Sequence, residues 1–305
     1  MSGLRLRRIT YLAPGIHAFE LVDPSGGELA PFTAGAHVDV SLPVGVVRQY
    51  SLANDPAERH RYVLGVKREA GGRGGSQSLF DDVSVGDLLE VSEPRNTFPL
   101  VEDGSPLVLI AGGIGVTPIR SMAFRLAVLG LAHRIHYGVR TRNEAAFELA
   151  GGRLHVDDEA GALLDVARLV RDAPAEAHLY CCGPAPMLAA FEAACGDRPA
   201  GQVHVEHFGP VALPSDTAAF TVELARTARR VAVAPGESIL EALRRAGLSV
   251  TSSCEQGVCG TCETRVLAGL PDHRDLLLSA AEKAANNTMM ICCSGSLQDL
   301  LVLDL

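Results

Sequence analysis

Three cysteines crowd one short run, Cys254-Glu-Gln-Gly-Val-Cys259-Gly-Thr-Cys262, and two adjacent ones, Cys292 and Cys293, follow later. The spacing C-x4-C-x2-C…C is that of the four thiolates that hold a plant-type [2Fe–2S] cluster. Such a cluster moves electrons singly. Gly257 and Gly260 lie between the cysteines. Glycine lets the chain turn at positive φ and come close to an inorganic core, with backbone N–H groups free to aim at sulfur. Two other uses of cysteine compete. A disulfide framework belongs to secreted domains, but the opening Met1-Ser-Gly-Leu-Arg-Leu-Arg-Arg lacks the apolar stretch of a signal peptide. A zinc site favours paired C-x2-C knuckles, and only Cys259 and Cys262 have that spacing. Neighbouring side chains on an extended backbone point to opposite sides. Only one of Cys292 and Cys293 is therefore a fourth ligand, and spacing alone leaves the choice open.

The rest of the chain must position this loop and feed it. The 305 residues are 47% hydrophobic and 21% charged, which fits two or three globular domains. A net charge of −9 argues against nucleic acid as a partner. No apolar run reaches the length of a membrane span. Eight cysteines without a signal peptide point to a reducing, cytoplasmic setting.

From Leu4 to about Leu100, alternating segments such as His37-Val-Asp-Val-Ser-Leu and Tyr62-Val-Leu-Gly-Val-Lys predict an antiparallel β-barrel. From Pro106 the pattern becomes βαβ and predicts a parallel sheet. Its strands are 107–111, 135–139, 153–156 and 178–182. Its helices are about 118–131, 145–150, 165–171 and 186–195. Leu213-Pro-Ser-Asp-Thr has linker character, 220–233 reads as a hairpin, and 238–246 as a helix ahead of the cysteine loop.

Four upstream strings carry chemistry. In Arg48-Gln49-Tyr50-Ser51 an arginine can grip phosphate, and a tyrosine two residues on, on the same face, can pack on a flat ring. Val66-Lys67-Arg68 precedes a glycine run ending Gly74-Gly75-Ser76, which offers N–H groups and a hydroxyl to an anion. Taken alone, that run reads as a flexible hairpin loop. Gly112-Gly113-Ile114-Gly115-Val116-Thr117-Pro118 joins a buried strand to a helix, the context of a dinucleotide pyrophosphate, although it is not G-x-G-x-x-G. Tyr180-Cys181-Cys182-Gly183-Pro184, with Met187 beyond, ends another strand, where a cysteine can line a nicotinamide pocket.

In that order the strings resemble the ferredoxin–NADP reductase superfamily. With the C-terminal cysteine loop, the whole chain is similar to the phthalate dioxygenase reductase family, which includes vanillate O-demethylase reductases. Arg48-Gln-Tyr-Ser-Leu-Ala-Asn-Asp-Pro56 and Asp272-His-Arg-Asp275 are among its specific strings. The resemblance implies a flavin-binding β-barrel (1–103), an NAD-binding α/β domain (104–212) and a β-grasp [2Fe–2S] ferredoxin domain (218–305). Arg48, Gln49, Tyr50, Ser51, Val66, Lys67, Arg68, Gly74, Gly75 and Ser76 would hold FMN, with FAD the rival flavin. Thr117 would approach the flavin and Phe208 would cover it. Gly113, Gly115, Arg140, Cys182, Gly183 and Pro184 would line the NADH site. Cys182, Thr117 and Tyr50 would stand nearest the reacting rings. In the family a variable residue and then Ser-Arg follow the fourth ligand, which matches Cys292-Cys293-Ser294 and gives Cys254, Cys259, Cys262 and Cys292 as the ligand set. Gly295 stands where the family often has arginine.

The expected route is NADH to FMN to [2Fe–2S] to a Rieske-type terminal oxygenase acting on an aromatic compound. A cytochrome P450 is the alternative acceptor, and a flavin/iron–sulfur redox sensor the alternative of another class. Arg140-Thr-Arg142 places two guanidiniums where the adenosine end would lie, so NADPH is the rival nucleotide.

Overall fold

A computed structural model describes residues 1–69, 71, 74–208, 218–252, 255, 257, 258 and 260–305. The predicted linker at 213–217 and two of the candidate ligands, Cys254 and Cys259, lie outside these. The chain divides into two compact units, Met1–Phe208 and Gly209–Leu305. Among the described residues no helix is long and apolar enough to cross a membrane.

The first unit opens with β1 (Ser2–Ala13), β2 (Ile16–Val22), β3 (His37–Ser41), β4 (Val47–Ser51), β5 (Tyr62–Lys67), α1 (Gly75–Asp81) and β6 (Leu88–Val91). The strands form one antiparallel sheet in the order β4-β3-β6-β1-β2-β5. A bridge between Leu52 and Leu64 joins its two edges and closes the predicted barrel. Its inward side chains, among them Leu6, Phe19, Leu21, Val38, Leu52 and Leu64, form one buried cluster. Helix α1 sits where a flexible loop was the plain expectation. Gly74, at φ 77°, makes the left-handed turn into it, a conformation that only glycine adopts cheaply. Leu79 then anchors it in the barrel core.

The unit continues with β7 (Leu107–Gly112), α2 (Val116–Leu129), β8 (His133–Val139), β9 (Gly152–Val156), α3 (Asp157–Ala160), α4 (Val166–Arg171), β10 (His178–Gly183), α5 (Ala185–Ala194) and β11 (Val203–His207). These strands make a parallel sheet in the order β11-β10-β7-β8-β9. Its fully buried strands read as near-continuous apolar runs, as a sheet covered on both faces requires.

The helix expected over 145–150 does not form. A short 3₁₀ turn at Arg142–Glu144 gives way to extended backbone at Ala145. There Ala146 is buried, with its N–H donated to the Tyr137 hydroxyl at 3.2 Å. Next to it the Phe147 ring receives the Arg120 guanidinium at 4.8 Å. Tertiary anchoring outweighs the helical propensity of an alanine-rich string.

The second unit holds β12 (Phe220–Leu224), β13 (Arg229–Val233), α6 (Ile239–Arg245), β14 (Glu263–Ala268), β15 (Pro271–Asp272), α7 (Ala280–Ala285), β16 (Thr288–Met290), β17 (Gly295–Ser296) and β18 (Leu300–Leu303). The main sheet runs β13-β12-β18-β14-β16, with β12 and β18 parallel in the middle. Helix α6 lays Ile239, Leu240 and Leu243 on this sheet. A capping box between Ser238 and Glu241 starts it. This mixed sheet crossed by one helix is the expected β-grasp scaffold.

Candidate functional site

The first unit brings its two sheets together at their strand ends. Thr117, buried at the start of α2, donates its hydroxyl to the Ile114 carbonyl at 3.0 Å. Its methyl group and the Phe147 ring fill the space over Gly65 of β5, where any Cβ would come within 2.6 Å of Thr117 Cγ2. Arg120, one turn further along α2, reaches the Ala53 carbonyl. Its guanidinium lies over the Phe124 and Phe147 rings at 4.7 and 4.8 Å. Burial lowers its proton affinity, and the cation is held by ring faces and a carbonyl oxygen.

Between the sheets stands Glu206 of β11, paired in register with Cys182 of β10. Ser51 Oγ at the end of β4 donates toward Glu206 Oε2 at 3.5 Å, and Cys182 Sγ lies 3.8 Å from the same oxygen. Burial pushes the Glu206 carboxyl up to about 8, and the Ser51 and Cys182 hydrogen bonds lower it only in part. The acid is therefore neutral at pH 7. Cys182 is wholly buried, and burial, then the Glu206 carboxylate that forms only above about pH 8, hold its thiol well above the usual range. It is thus a neutral thiol with no nucleophilic character. Neither Glu206 nor Arg120 stands out in the sequence. A glutamate in an alternating strand gives no signal, and only pairing with β10 carries it to the junction.

Around this centre the barrel residues cluster. The Arg48 side chain lies across Gly75, where a Cβ would come within 2.6 Å of Arg48 Cγ. Gln49 Nε2 is 3.2 Å from His37 Nε2, and burial lowers that imidazole to about 4, so the ring is neutral. Burial raises the Tyr50 hydroxyl, and its ring packs on the barrel core. Val66 is buried in the same core. Lys67 and Arg68 are exposed and engaged by Glu69 (3.5 Å) and Asp81 (2.7 Å). Ser76 Oγ accepts the Glu69 N–H at 3.0 Å, which ties α1 to the end of β5. Phe208, 41% exposed, follows β11 directly.

On the second sheet, Gly113 takes φ 52° with open space where a Cβ would stand. Gly115 packs against the β10 backbone, where a Cβ would lie 2.2 Å from the Cys182 carbonyl oxygen. Met187 Sδ covers Gly112 and Gly183. Replacing Gly115 with alanine is expected to destabilise the first unit by about 1–3 kcal/mol, because backbone on both sides cannot move aside. Thermal melting checks this, and an unchanged Tm contradicts it. Arg140 is exposed beyond β8. Arg142 is bound by Glu159 through two hydrogen bonds of 2.8 and 2.6 Å.

In the second unit, Cys262 and Cys292 are buried and their thiols lie within hydrogen-bonding reach of each other. The Gly257 N–H points at the Cys292 sulfur. Cys293, also within hydrogen-bonding reach of the Cys292 sulfur, has its thiol 3.7 Å from the Met290 carbonyl and packed on Gly257, where a Cβ would come within 2.5 Å. Gly257 and Gly260 take φ 72° and 76°. Two inward thiols, an N–H aimed at one sulfur and two left-handed glycines fit a thiolate-bound cluster. At Gly295 the guanidinium of Arg274, paired with Asp272, lies over the bare Cα. One cation thus stands where the resembling family often places another.

A model of the 2Fe-2S iron-sulfur cluster binding domain matches residues 222–295. The chain is 53% identical to the phenoxybenzoate dioxygenase subunit beta of Ectopseudomonas oleovorans, over 99% of this chain and 97% of that one. The solved phthalate dioxygenase reductase, a modular structure for electron transfer from pyridine nucleotides to [2Fe–2S], superposes with a TM-score of 0.79. It is 40% identical and covers 100% of this chain and 98% of its own. An intact type IV self-sufficient cytochrome P450 monooxygenase contains a matching portion. There the TM-score is 0.81 at 37% identity, over 99% of this chain and 41% of that one. With full-length identity of this order and the same sequence of sheets, the chain belongs to the phthalate dioxygenase reductase family.

Proposed function

We propose that the protein is the cytoplasmic reductase component of an aromatic-ring oxygenase or O-demethylase system. It draws electrons from NADH and delivers them singly to a Rieske-type terminal oxygenase. The observation that carries this is the junction of Ser51, Glu206 and Cys182, where a strand end of the barrel meets two strand ends of the parallel sheet. Two flat rings, one held by each sheet, would meet there. The domain limits 1–103, 104–212 and 218–305 follow from this division of labour.

In this reading Arg48, Gln49, Tyr50, Ser51, Val66, Lys67, Arg68, Gly74, Gly75 and Ser76 hold FMN. Thr117 borders its ring and Phe208 covers it. Gly113, Gly115, Arg140, Cys182, Gly183 and Pro184 hold NADH. Cys254, Cys259, Cys262 and Cys292 hold the cluster. Bound flavin accepts electrons in a pair and releases them singly, which the cluster requires. The chain's own work is orientation. Gly65 admits Thr117 to the junction, and Arg120 fixes α2 against the barrel. The neutral Glu206 leaves the junction without a fixed negative charge at pH 7.

The bidentate hold of Glu159 on Arg142 supports NADH over NADPH, since that guanidinium is already matched by a carboxylate. The expected result is a kcat/KM ratio for NADH over NADPH above one, and a lower ratio in Glu159→Gln. A ratio below one in the wild type contradicts the assignment. The proposed function is tested by NADH-driven reduction of a purified aromatic-ring oxygenase, alongside flavin and iron–sulfur absorbance. A protein with neither absorbance fails it. A cytochrome P450 is the alternative acceptor, supported by the likeness to the self-sufficient P450.

A further inference from the structure

We infer that the exposed pair Leu276–Leu277 is the surface through which the second unit meets its electron acceptor. The partner is a protein that presents a shallow apolar depression over its own one-electron centre. The inference rests on the electron-transfer reading above and names the contact it needs.

Leu276 and Leu277 are 52% and 43% exposed, side by side, while Leu278 turns inward onto the unit's core. The two adjacent exposed leucines form a small apolar knob. Its position is specific. The Leu276 N–H donates to the Gly257 carbonyl at 3.0 Å, inside the cysteine loop. Leu277 Cδ2 stands where a side chain on Gly260 would come within 3.1 Å of it. Gly257 and Gly260 lie on either side of Cys259 in the sequence. A protein seated on these leucines thus lies directly beside the cluster loop.

The knob is also fixed before any partner arrives. Asp275, 1% exposed, accepts the Leu277 and Leu278 N–H groups at 3.2 and 2.7 Å on one carboxylate oxygen. Lys283 Nζ reaches the Asp275 carbonyl at 2.5 Å. A preformed turn loses little freedom on docking. The charges beside it are matched within the unit, Arg274 by Asp272 and Lys283 by Asp275. With these two cations already paired, docking should depend weakly on salt. A small apolar contact also suits a complex that must form and part at each transfer.

The test uses the full-length protein carrying flavin and cluster, with Leu276→Ser/Leu277→Ser, and Leu267→Ser as a control leucine elsewhere on the unit. The acceptor is the purified oxygenase of the phenoxybenzoate dioxygenase system. The double variant is expected to raise KM for that oxygenase at least about tenfold. NADH–ferricyanide turnover, the visible spectrum and the rate of cluster reduction by NADH stay unchanged, and Leu267→Ser matches the wild type. The single variant Leu277→Ser, with half the knob intact, should fall between. An unchanged KM overturns the inference. So does a slowed cluster reduction, which would assign the leucines to the chain's own flavin unit. A wild-type protein that passes no electrons to the oxygenase overturns the proposed function, and the docking face with it.

Discussion

Cys292→Ser is expected to remove the iron–sulfur absorbance and its electron paramagnetic resonance signal, while Cys293→Ser keeps both. The two residues are neighbours of one type, so the contrast isolates which sulfur serves as the ligand. The Cys292 sulfur lies within reach of the Cys262 thiol and receives the Gly257 N–H, contacts that favour a thiolate, while the Cys293 thiol and burial outweigh them and push the thiol up to about 12. A bound iron would supply the positive charge that deprotonates it. The Cys293 sulfur faces the Met290 carbonyl, an acceptor that suits a neutral thiol, and lies 3.8 Å from the Ser294 hydroxyl. Serine at 293 keeps those partners with a smaller atom, and the packing on Gly257 tolerates it. Loss of a ligand should exceed the roughly 10–100-fold cost of removing an outer partner of a metal site. NADH–cytochrome c turnover should therefore nearly vanish in Cys292→Ser, while NADH–ferricyanide turnover persists through the flavin. A cluster retained in Cys292→Ser and lost in Cys293→Ser would exchange the two roles.

The cysteine loop was legible because cluster chemistry fixes both residue type and spacing, and both lie within one short segment. The barrel and the parallel sheet were legible from alternation and from continuous apolar runs, which record how many faces each strand buries. What escaped depends on pairing between distant segments. Helix α1 looked like a loop because its glycines signal freedom, whereas Leu79 in the barrel core decides the outcome. The expected helix at 145–150 failed because the Tyr137 hydroxyl and the Arg120 guanidinium claim Ala146 and Phe147. The Ser51–Glu206–Cys182 junction draws on three strands separated by long stretches of chain. Ser51 and Cys182 carried a local signal, but Glu206 acquires its character only from the burial they share.

That burial makes Glu206 the source of the second large effect. Its carboxyl is raised from 4.5 to about 8, so across that window the folded chain keeps a proton that the unfolded chain has released. At this residue the folded state binds more protons, so the contribution of Glu206 to stability falls as pH rises from 4.5 toward 8, then levels off. The slope from this one proton should be at most about 1.4 kcal/mol per pH unit, or a few °C in Tm. Glu206→Gln has the same shape, still accepts from Ser51 and cannot ionise, so it should abolish this slope. The same titration should appear in function. Above pH 8 a carboxylate stands at the junction, and no cation among the described residues pairs with it. A fixed negative charge opposes the arrival of electron density from NADH. Wild-type flavin reduction, followed by stopped flow, should therefore slow as pH passes about 8, while Glu206→Gln shows no such break. The variant separates charge from shape. If it keeps the wild-type pH dependence in both melting and reduction, Glu206 is not the titrating group. If only the melting slope disappears, the residue holds the two sheets together without governing electron entry.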